Sequence, residues 1–295
     1  MESLPLPLPQ SPEFAATLSA LGVPVRCGFT GSSCAPEMRW QIQSRRLPLL
    51  GHVDLLSRGP VTRTPALPED WLPLCRNRRV APLLLNADGP DAAALRAAGF
   101  WPLVTPATMA ILPLGDEACM RAAMQQKWRN RLNRSAEASL RITRHTLGCD
   151  HWLLEAEARQ ARQRRYRALP AGLVAAYARC NPGKAVIWEA RHGSDPVAAI
   201  AVLRHGRVAT WQMGISLPEG RRLNAMNALL WEAMRWLARQ HHDRLDLGIL
   251  NSDDAPGLTR FKLGTGAVPH RLGGTWLHMG TLAPFARHLP TALAA

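Results

Sequence analysis

Residues 249–253 read Ile-Leu-Asn-Ser-Asp and residues 84–88 read Leu-Leu-Asn-Ala-Asp, so one apolar-apolar-Asn-x-Asp pattern occurs twice, 165 residues apart. Two further pairs keep this offset: Trp71 with Trp236, and Gly99 with Gly264. Around both copies the sequence predicts the same order: helix, strand, Asn-x-Asp loop, short helix, glycine. A chance match of so few positions is the alternative, but the shared order favours an internal duplication, and the period is far too long for a solenoid.

The duplication and the chain length predict the domain organisation. The 295 residues allow two domains of roughly 150 residues each. We place the first at residues 1–138, with about ten extended residues at its start, and the second at 139–295. Each copy is expected to hold a mixed, mostly antiparallel sheet flanked by helices, which is an α/β (α+β) fold.

Apolar periodicity predicts the elements around these repeats. A short helix is expected at 12–21, a loose region from there to about residue 47, and one long helix over 116–138. Alternating apolar strands and glycine-bearing turns predict two hairpins over 185–215. An amphipathic helix follows at 224–240, then a strand at 244–250 and a short helix through Arg260-Phe261-Lys262.

The composition excludes several classes of protein. Hydrophobic residues make up 47% of the chain, so an intrinsically disordered chain is excluded. No run approaches the apolar length of a membrane-spanning helix, and acidic and proline residues near the start do not fit a signal peptide, so we expect a cytoplasmic protein without stable membrane insertion. The cysteines form no C-x-x-C pair and no metal-ligand spacing, which predicts reduced, structural thiols and no metal site. They are Cys27, Cys34, Cys75, Cys119, Cys149 and Cys180.

The chain is strongly basic, with 36 Lys and Arg against 22 Asp and Glu, a net charge of +14. Only three of these cations are lysines, so much of the charge reflects arginine used as the general surface cation. The charge is nevertheless uneven, because residues 121–167 hold twelve basic and four acidic residues. Such a stretch favours anionic partners: phosphates, diphosphate-linked carriers or RNA.

Part of this basic stretch falls on the predicted helix over 116–138. There Lys127, Arg131 and Arg134 share one face, while Trp128 and Leu132 lie on the adjoining face and can anchor the helix to a sheet. The pattern predicts either a row of phosphate-binding cations or a solvated arginine face.

Four motifs in the second half, together with features of the first, carry a resemblance to a known family. The four are W-Q-M-G at 211–214, N-A-M-N-A-L-L-W-E-A-M at 224–234, L-D-L-G at 245–248 and R-F-K-L-G-T-G at 260–266. The first half adds Ser57-Arg58-Gly59-Pro60, the segments 95–100 and 105–114, and the helix with Lys127 and Arg129. In this order they resemble the FemAB-like peptidyltransferases and related acyltransferases, which contain two tandem GNAT (N-acetyltransferase-like) domains. The likeness covers most of residues 50–275.

The resemblance implies transfer of an acyl or aminoacyl group to an amine, from acyl-CoA such as acetyl-CoA or from aminoacyl-tRNA. It implies that Phe261 and Lys262 lie at the reaction centre, with Lys262 stabilising the negative charge on the attacked carbonyl oxygen and Phe261 shaping the pocket. Asp246 is a candidate proton acceptor, with a structural role as the alternative, and Trp211 is expected to line a cleft. The candidate phosphate-binding residues beside these are Lys127, Arg129, Arg131, Arg221, Arg222 and Asn224.

The sequence departs from the family's acetyl-CoA enzymes at one loop. Those enzymes carry R-x-x-G-x-G/A at a helix start, whereas residues 219–225 read Glu-Gly-Arg-Arg-Leu-Asn-Ala. Arg221 and Arg222 can still bind phosphate through their side chains. The use of CoA and of a peptidoglycan acceptor therefore both stay open.

Two alternatives remain at this stage. His241-His242-Asp243 is either a base with an orienting acid or a polar cluster that caps a helix. The whole protein is either the transferase or a non-catalytic RNA- or anion-binding module that uses 121–167, with Arg162, Arg164 and Arg165 prominent in its surface.

Overall fold

The computed structural model describes residues 4–47, 51–76, 81–89, 91–148, 150–164 and 169–288. Contacts within the chain divide it into two compact units. Unit 1 contains residues up to Thr108 and from His270 onward, and unit 2 contains Met109–Pro269.

The first part of the chain, up to the boundary at Thr108, forms six strands and three α-helices among the described residues, and a seventh strand begins at the boundary. They are α1 (Pro12–Ala20), β1 (Val25–Ser32), β2 (Ala35–Leu47), β3 (Gly51–Ser57), β4 (Val61–Thr62), α2 (Pro68–Cys75), β5 (Leu83–Ala87), α3 (Ala92–Ala97), β6 (Phe100–Val104) and β7 (Thr108–Pro113).

The rest of the chain continues with helices and strands in alternation. They are α4 (Glu117–Ala123), α5 (Gln126–Glu137), β8 (Leu140–Thr146), α6 (Trp152–Arg164), α7 (Ala171–Cys180), β9 (Ala185–His192), β10 (Asp195–His205), β11 (Val208–Ser216), α8 (Pro218–Arg222), α9 (Ala225–Arg239), β12 (Arg244–Leu250), α10 (Pro256–Gly264), β13 (Val268–Arg271), β14 (Gly274–His278) and α11 (Ala283–Ala286).

Each unit has a seven-stranded mixed sheet, and each sheet contains a strand from the other half of the sequence. The first has the order β1-β2-β3-β5-β14-β6, with β4 beside β2, and the second has the order β13-β7-β12-β11-β10-β9-β8. The late strand β14 therefore completes the first sheet, and the early strand β7 completes the second. Because β7, α4 and α5 belong to unit 2 and β14 belongs to unit 1, the contacts do not divide the chain at residue 138, where the sequence had suggested a boundary.

The core of unit 2 lies between its sheet and helices α5 and α9. Alternate residues of β9 (Val186, Trp188 and Ala190) point into it, as the two-residue period of a strand requires. The apolar stripe of α9 covers them with side chains that include Leu229, Leu230, Met234 and Leu237. This packing fixes β11 and α9, which border the candidate site.

The predicted hairpins at 185–215, the helix at 224–240 and the strand at 244–250 are all present. The loose region up to residue 47 was a wrong prediction, because it contains β1 and β2, which pair antiparallel over most of their length. The first residues are also not simply extended, since Leu8–Gln10 form a short 3₁₀ helix and residues 1–3 lie outside the described part.

The single helix predicted over 116–138 is two helices. The chain is extended at Met124 and Gln125, where ψ is 144° and 147°. Two interactions compensate the break: the Gln125 amide donates to Gly264 O at 2.9 Å, and the Met124 side chain is buried in the core. The helical periodicity of the sequence continues across Met124 and Gln125, because a local pattern carries no information about partners that are distant in sequence.

The duplication holds in element order but not at a constant offset. Both β5-α3-β6-β7 and β12-α10-β13-β14 run strand, helix, strand, strand. Helix α10 is longer than α3, and the left-handed glycine after each helix is Gly99 (φ 89°) and Gly266 (φ 93°). The counterpart of Gly99 is therefore Gly266, and the pairing with Gly264 was wrong.

Within the described ranges, no helix is long and apolar enough to cross a membrane. No group of three or more metal-ligating side chains occurs in the same ranges. The described cysteines are free thiols, and Cys149 lies outside the described residues.

Candidate active site between strands β11 and β12

Strands β11 and β12 run parallel and separate after three residue pairs. Their register joins Val208–Thr210 to Arg244–Asp246, whereas both strands continue further. A bulge in β11 follows at once, because its register with β10 skips Gln212. The carboxyl-terminal parts of the two strands thus leave a gap, at the edge where α/β sheets commonly hold ligands.

Lys262 lies beside this gap, in helix α10. Pro256 begins the helix, and the Thr265 hydroxyl caps it by donating to Lys262 O at 2.6 Å. The side chain of Lys262 is only 7% exposed, and its Nζ donates to Ile249 O of β12 at 2.8 Å. Burial lowers the pKa of Lys262 from its ordinary value of 10.5 to about 8.

The backbone of β12 has an unusual conformation next to this ammonium group. Gly248 has φ of 80°, in the left-handed region that glycine adopts without strain. A Cβ at Gly248 would lie 3.6 Å from Lys262 Nζ, so this face of β12 lies beside the ammonium group. Gly248 belongs to the L-D-L-G motif, but the sequence assigned no role to it or to the Ile249 carbonyl, because a glycine in a strand gives no sign of which side chain lies opposite.

Three aromatic rings connect β11 to α10. The Phe261 ring centroid lies 5.9 Å from that of Trp128 and 6.2 Å from that of Trp211. Trp128 is 3% exposed, and its Nε1 has no hydrogen-bond partner among the described residues. A Cβ at Gly264 would lie 2.8 Å from Trp128 Cδ1, so the glycine is what allows α10 to approach α5. The predicted pair Phe261 and Lys262 and the predicted Trp211 are therefore brought together.

The side chains of Arg221 and Arg222, which were expected to bind phosphate, make contacts within their own loop. Arg221 Nη1 donates to Ser216 O at 2.7 Å, and Arg222 forms an ion pair with Glu219 at 2.6 Å. Both side chains are exposed. In this structure they stabilise helix α8, which precedes α9.

The start of α9 leaves polar groups without partners. Asn224 is left-handed (φ 54°), and its side chain caps no backbone group of the helix. Asn227, in the first turn, is 4% exposed, and its Nδ2 lacks a hydrogen-bond partner in the described part of the chain. A helix start with open donors is suited to an anion.

The basic residues of α5 divide into two kinds. Lys127, Arg131 and Arg134 are exposed on one face, as predicted. Arg129 instead donates through Nη1 to Met124 O at 2.7 Å and to Ala122 O at 3.1 Å. These bonds join the end of α4 to α5, so the geometry of Arg129 fits a structural role better than the phosphate-binding role we had expected.

Neither candidate proton acceptor is arranged as a free base. Asp246 is 1% exposed, and its Oδ1 lies 3.1 Å from Arg244 Nε, an ion pair that favours the structural alternative. His242 accepts at Nε2 from Arg204 Nε at 3.3 Å, and burial together with the Arg204 charge lowers its pKa to about 4.

The His241-His242-Asp243 segment closes helix α9. The His241 amide donates to Ala238 O and the His242 amide to Leu237 O, while Asp243 pairs with Arg207. The capping alternative is therefore confirmed for this segment.

A buried carboxylate on β9 was missed from the sequence. Glu189 accepts hydrogen bonds from Trp152 Nε1 at 2.6 Å and Arg191 Nη1 at 2.9 Å, and His151 Nε2 lies 3.3 Å away. Burial raises the pKa of this carboxyl, but the two hydrogen bonds and the nearby cations outweigh it and hold the pKa below its usual value. The cluster fixes the start of α6 on the sheet, and its members are too far apart in sequence to form a motif.

The corresponding place in unit 1 is closed. There the parallel strands β3 and β5 stay paired over Asp54–Ser57 and Leu83–Asn86, and the Arg58 amide donates to Asn86 O at 2.8 Å. Lys262 precedes its left-handed glycine, Gly266, by the same number of residues as Leu95 precedes Gly99. Unit 1 therefore has a buried leucine at the position of the lysine. The gap and its lysine therefore belong to unit 2.

A protein-family model described as an acetyltransferase (GNAT) domain matches residues 120–267, which is half of the chain and nearly all of unit 2. The chain belongs to the GNAT acetyltransferase family. No sequence among the curated proteins matches it.

Solved structures place this GNAT protein among tandem-domain folds. FemX matches with a TM-score of 0.76 and 13% identity, over 94% of this chain and 93% of FemX. L-PGS from Bacillus licheniformis matches with a TM-score of 0.52 and 14% identity, over 97% of both chains. A tandem GNAT protein from the clavulanic acid biosynthesis pathway matches with a TM-score of 0.50 and 12% identity, over 94% of this chain and 90% of its own.

At these identities the likenesses show the fold, which is the FemAB-like arrangement of two GNAT-like domains expected from the sequence. Unit 2 supplies the GNAT domain that the family model recognises, and the gap beside Lys262 lies within it. The chain therefore has the fold of a GNAT acyltransferase.

Proposed function

We propose that this protein transfers an acyl or aminoacyl group from a thioester or an aminoacyl ester to an amine, in the gap between β11 and β12. The observation that carries the proposal is the buried Lys262 ammonium at that gap. Among the described residues Lys262 Nζ donates to one backbone carbonyl, and an ammonium has three N–H donors, so donors remain for a substrate oxygen.

In the proposed reaction the neutral amine attacks the carbonyl carbon of the donor. A C–N bond forms, and the carbonyl oxygen becomes negative in the tetrahedral intermediate. Lys262 Nζ–H donates to this oxygen in a site that is poorly accessible to water, where such a bond stabilises charge strongly. The C–S or C–O bond then breaks, and the proton of the amine passes to the leaving group or to water. Phe261 and Trp211 shape the pocket for the transferred group.

The start of α9 supports a donor that carries phosphate. The open first turn offers backbone N–H donors to an anion, and Arg221 and Arg222 add positive charge to the loop before it. Lys127 and Arg131 supply a second group of exposed cations on α5. Both acyl-CoA and aminoacyl-tRNA fit this chemistry, and because both are cytoplasmic molecules the proposal places the reaction in the cytoplasm.

The donor is tested with two labelled substrates. Purified protein is offered [¹⁴C]acetyl-CoA or a mixed ¹⁴C-aminoacyl-tRNA pool, together with a panel of amino acids, amino sugars and muropeptides as acceptors. We expect amide-linked label from one donor, retained in the control Lys184→Ala, since Lys184 lies in a turn before β9. No label from either donor on any acceptor contradicts the proposal.

The exposed cations of α5 favour one second candidate, a non-catalytic RNA-binding surface. Lys127, Arg131 and Arg134 are exposed together, and Arg162 and Arg164 are exposed on α6, whereas Arg165 lies outside the described residues. This candidate predicts RNA binding that weakens steeply with salt and is lost in the double variant Arg131→Ala/Arg134→Ala. Binding that is indifferent to salt and to this variant excludes it.

A further inference from the structure

The indole of Trp211 is held in one position by its own strand. Its Nε1 donates to Met213 O at 2.8 Å. The ring also packs over Gly214, where a Cβ would lie 2.9 Å from ring carbon Cζ2. The absence of a side chain at residue 214 and the bulge at Gln212 together let the ring lie against β11.

The same indole packs towards helix α10, which carries Lys262. It packs on Phe261, next in sequence to Lys262, and Phe261 is backed by the buried Trp128. Trp211 also directly follows Thr210, the last residue of β11 that pairs with β12. A ring fixed by a hydrogen bond and by aromatic packing therefore occupies apolar space beside Phe261, the residue that precedes Lys262.

We propose that Trp211 limits the size of the acyl group that can be transferred, so that the site accepts short groups and rejects long ones. This inference rests on the proposed function, because it concerns the acyl pocket of the same site. Replacing the indole by a methyl group opens apolar space next to Phe261. Each methylene that enters this space is expected to tighten binding about four-fold.

The test measures binding, so that it does not depend on finding the acceptor. Dissociation constants are measured by calorimetry for acetyl-, butyryl-, hexanoyl- and octanoyl-CoA, and for 3′-amide analogues of glycyl-, alanyl-, leucyl- and phenylalanyl-adenosine. We expect the wild type to bind the shortest groups most tightly. Trp211→Ala is expected to bind the longest groups at least ten-fold more tightly than the wild type does, and the shortest within about two-fold of it.

Trp101→Ala is the matched control. Trp101 is also partly buried and donates its indole N–H to a backbone carbonyl, Leu282 O at 2.9 Å, but it lies in unit 1. Its size profile should equal that of the wild type. Gly214→Ala is a second route to the same result, because its Cβ displaces the ring while Trp211 is kept.

The outcomes separate this inference from the proposed function. If ligands bind but both Trp211→Ala and Gly214→Ala keep the wild-type order of sizes, the size limit is wrong and the acyl site stands. If no member of either series binds to wild type or variants, the size limit and the acyl site are both overturned.

Discussion

At the scale of single residues, Lys262 combines burial with a charge. An ammonium group inside a protein loses its hydration, and here one backbone carbonyl replaces part of it. The pKa of about 8 is the consequence, and it leaves the group largely protonated at pH 7. The same burial that makes the charge costly makes its hydrogen bond to a developing oxyanion strong.

The first prediction concerns the pH dependence of transfer. If protonated Lys262 stabilises the oxyanion, the turnover rate should fall as the pH rises through about 8, because the ammonium loses its proton there. Lys262→Arg stays charged, so its residual activity should lack this fall. A rate that instead rises through the same pH, together with an inactive Lys262→Arg, would mean that Lys262 acts as a base.

The second prediction concerns stability. The pKa of Lys262 is lower in the folded protein than its ordinary 10.5, so between pH 8 and 10.5 the unfolded chain binds more protons and stability rises with pH. Below pH 8 the buried charge carries a penalty on the order of 3 kcal/mol. Lys262→Met should therefore unfold at higher urea concentration than wild type at pH 7, by roughly 1 to 3 kcal/mol, with a smaller difference at pH 10. Loss of stability at pH 7 would contradict this.

At the scale of elements, the position of Lys262 depends on how α10 packs on α5. A Cβ at Gly264 would lie 2.8 Å from Trp128 Cδ1, so Gly264→Ala must push the helices apart. We expect a loss of roughly 1 to 3 kcal/mol in urea unfolding together with reduced transfer. Gly257→Ala is the control in the same helix, because nothing lies within 4 Å of a Cβ there. If Gly264→Ala instead stabilised the protein as much as Gly257→Ala does, helix propensity and not this contact would dominate.

Much of the fold at this scale could be predicted from local pattern. Strands β9 to β11 are apolar runs bounded by glycine-bearing turns, helix α9 has a clear helical period, and all four occur where expected. The break at Gln125 could not be predicted, because it is compensated by Gly264 O, which is distant in sequence. The hairpin β1-β2 was missed but could have been predicted, because Met38, Trp40 and Ile42 alternate with polar residues in the two-residue period of a strand.

Part of the candidate site could likewise be predicted from the sequence, and part could not. The family resemblance implied Phe261 and Lys262, and Trp211 was expected to line a cleft. In the structure Trp211 packs on Phe261, which is next in sequence to Lys262. The gap between β11 and β12 has no sequence signature, because it depends on a bulge and on where parallel pairing ends. Roles assigned by charge alone were less informative, since Arg129 bonds to backbone carbonyls and Arg222 to Glu219.

At the scale of the whole molecule, the exchange of strands makes each sheet depend on both halves of the sequence. Trp276 of β14 is 2% exposed and packs with Trp71 and Phe100 in the core of unit 1, almost two hundred residues away in sequence. Unit 1 should therefore not be stable without the end of the chain.

Trp276→Ala tests this dependence. The lost packing is expected to cost about 3 to 5 kcal/mol, and amide hydrogen exchange should speed up in β3 and β5 of unit 1. The amides of α9 in unit 2 serve as the internal control and should keep more of their protection. Unchanged exchange in β5 would show that the first half of the sequence folds without β14.

The central claim is that Lys262 acts on the transition state of an acyl transfer in unit 2. The most direct test is the single-turnover rate of transfer from saturating donor, measured beside the dissociation constant of that donor, for wild type and Lys262→Ala. We predict a rate reduced about 10²- to 10³-fold with the dissociation constant changed little, because the ammonium stabilises the oxyanion more than the ground-state carbonyl. Equal single-turnover rates for the two proteins would contradict the account.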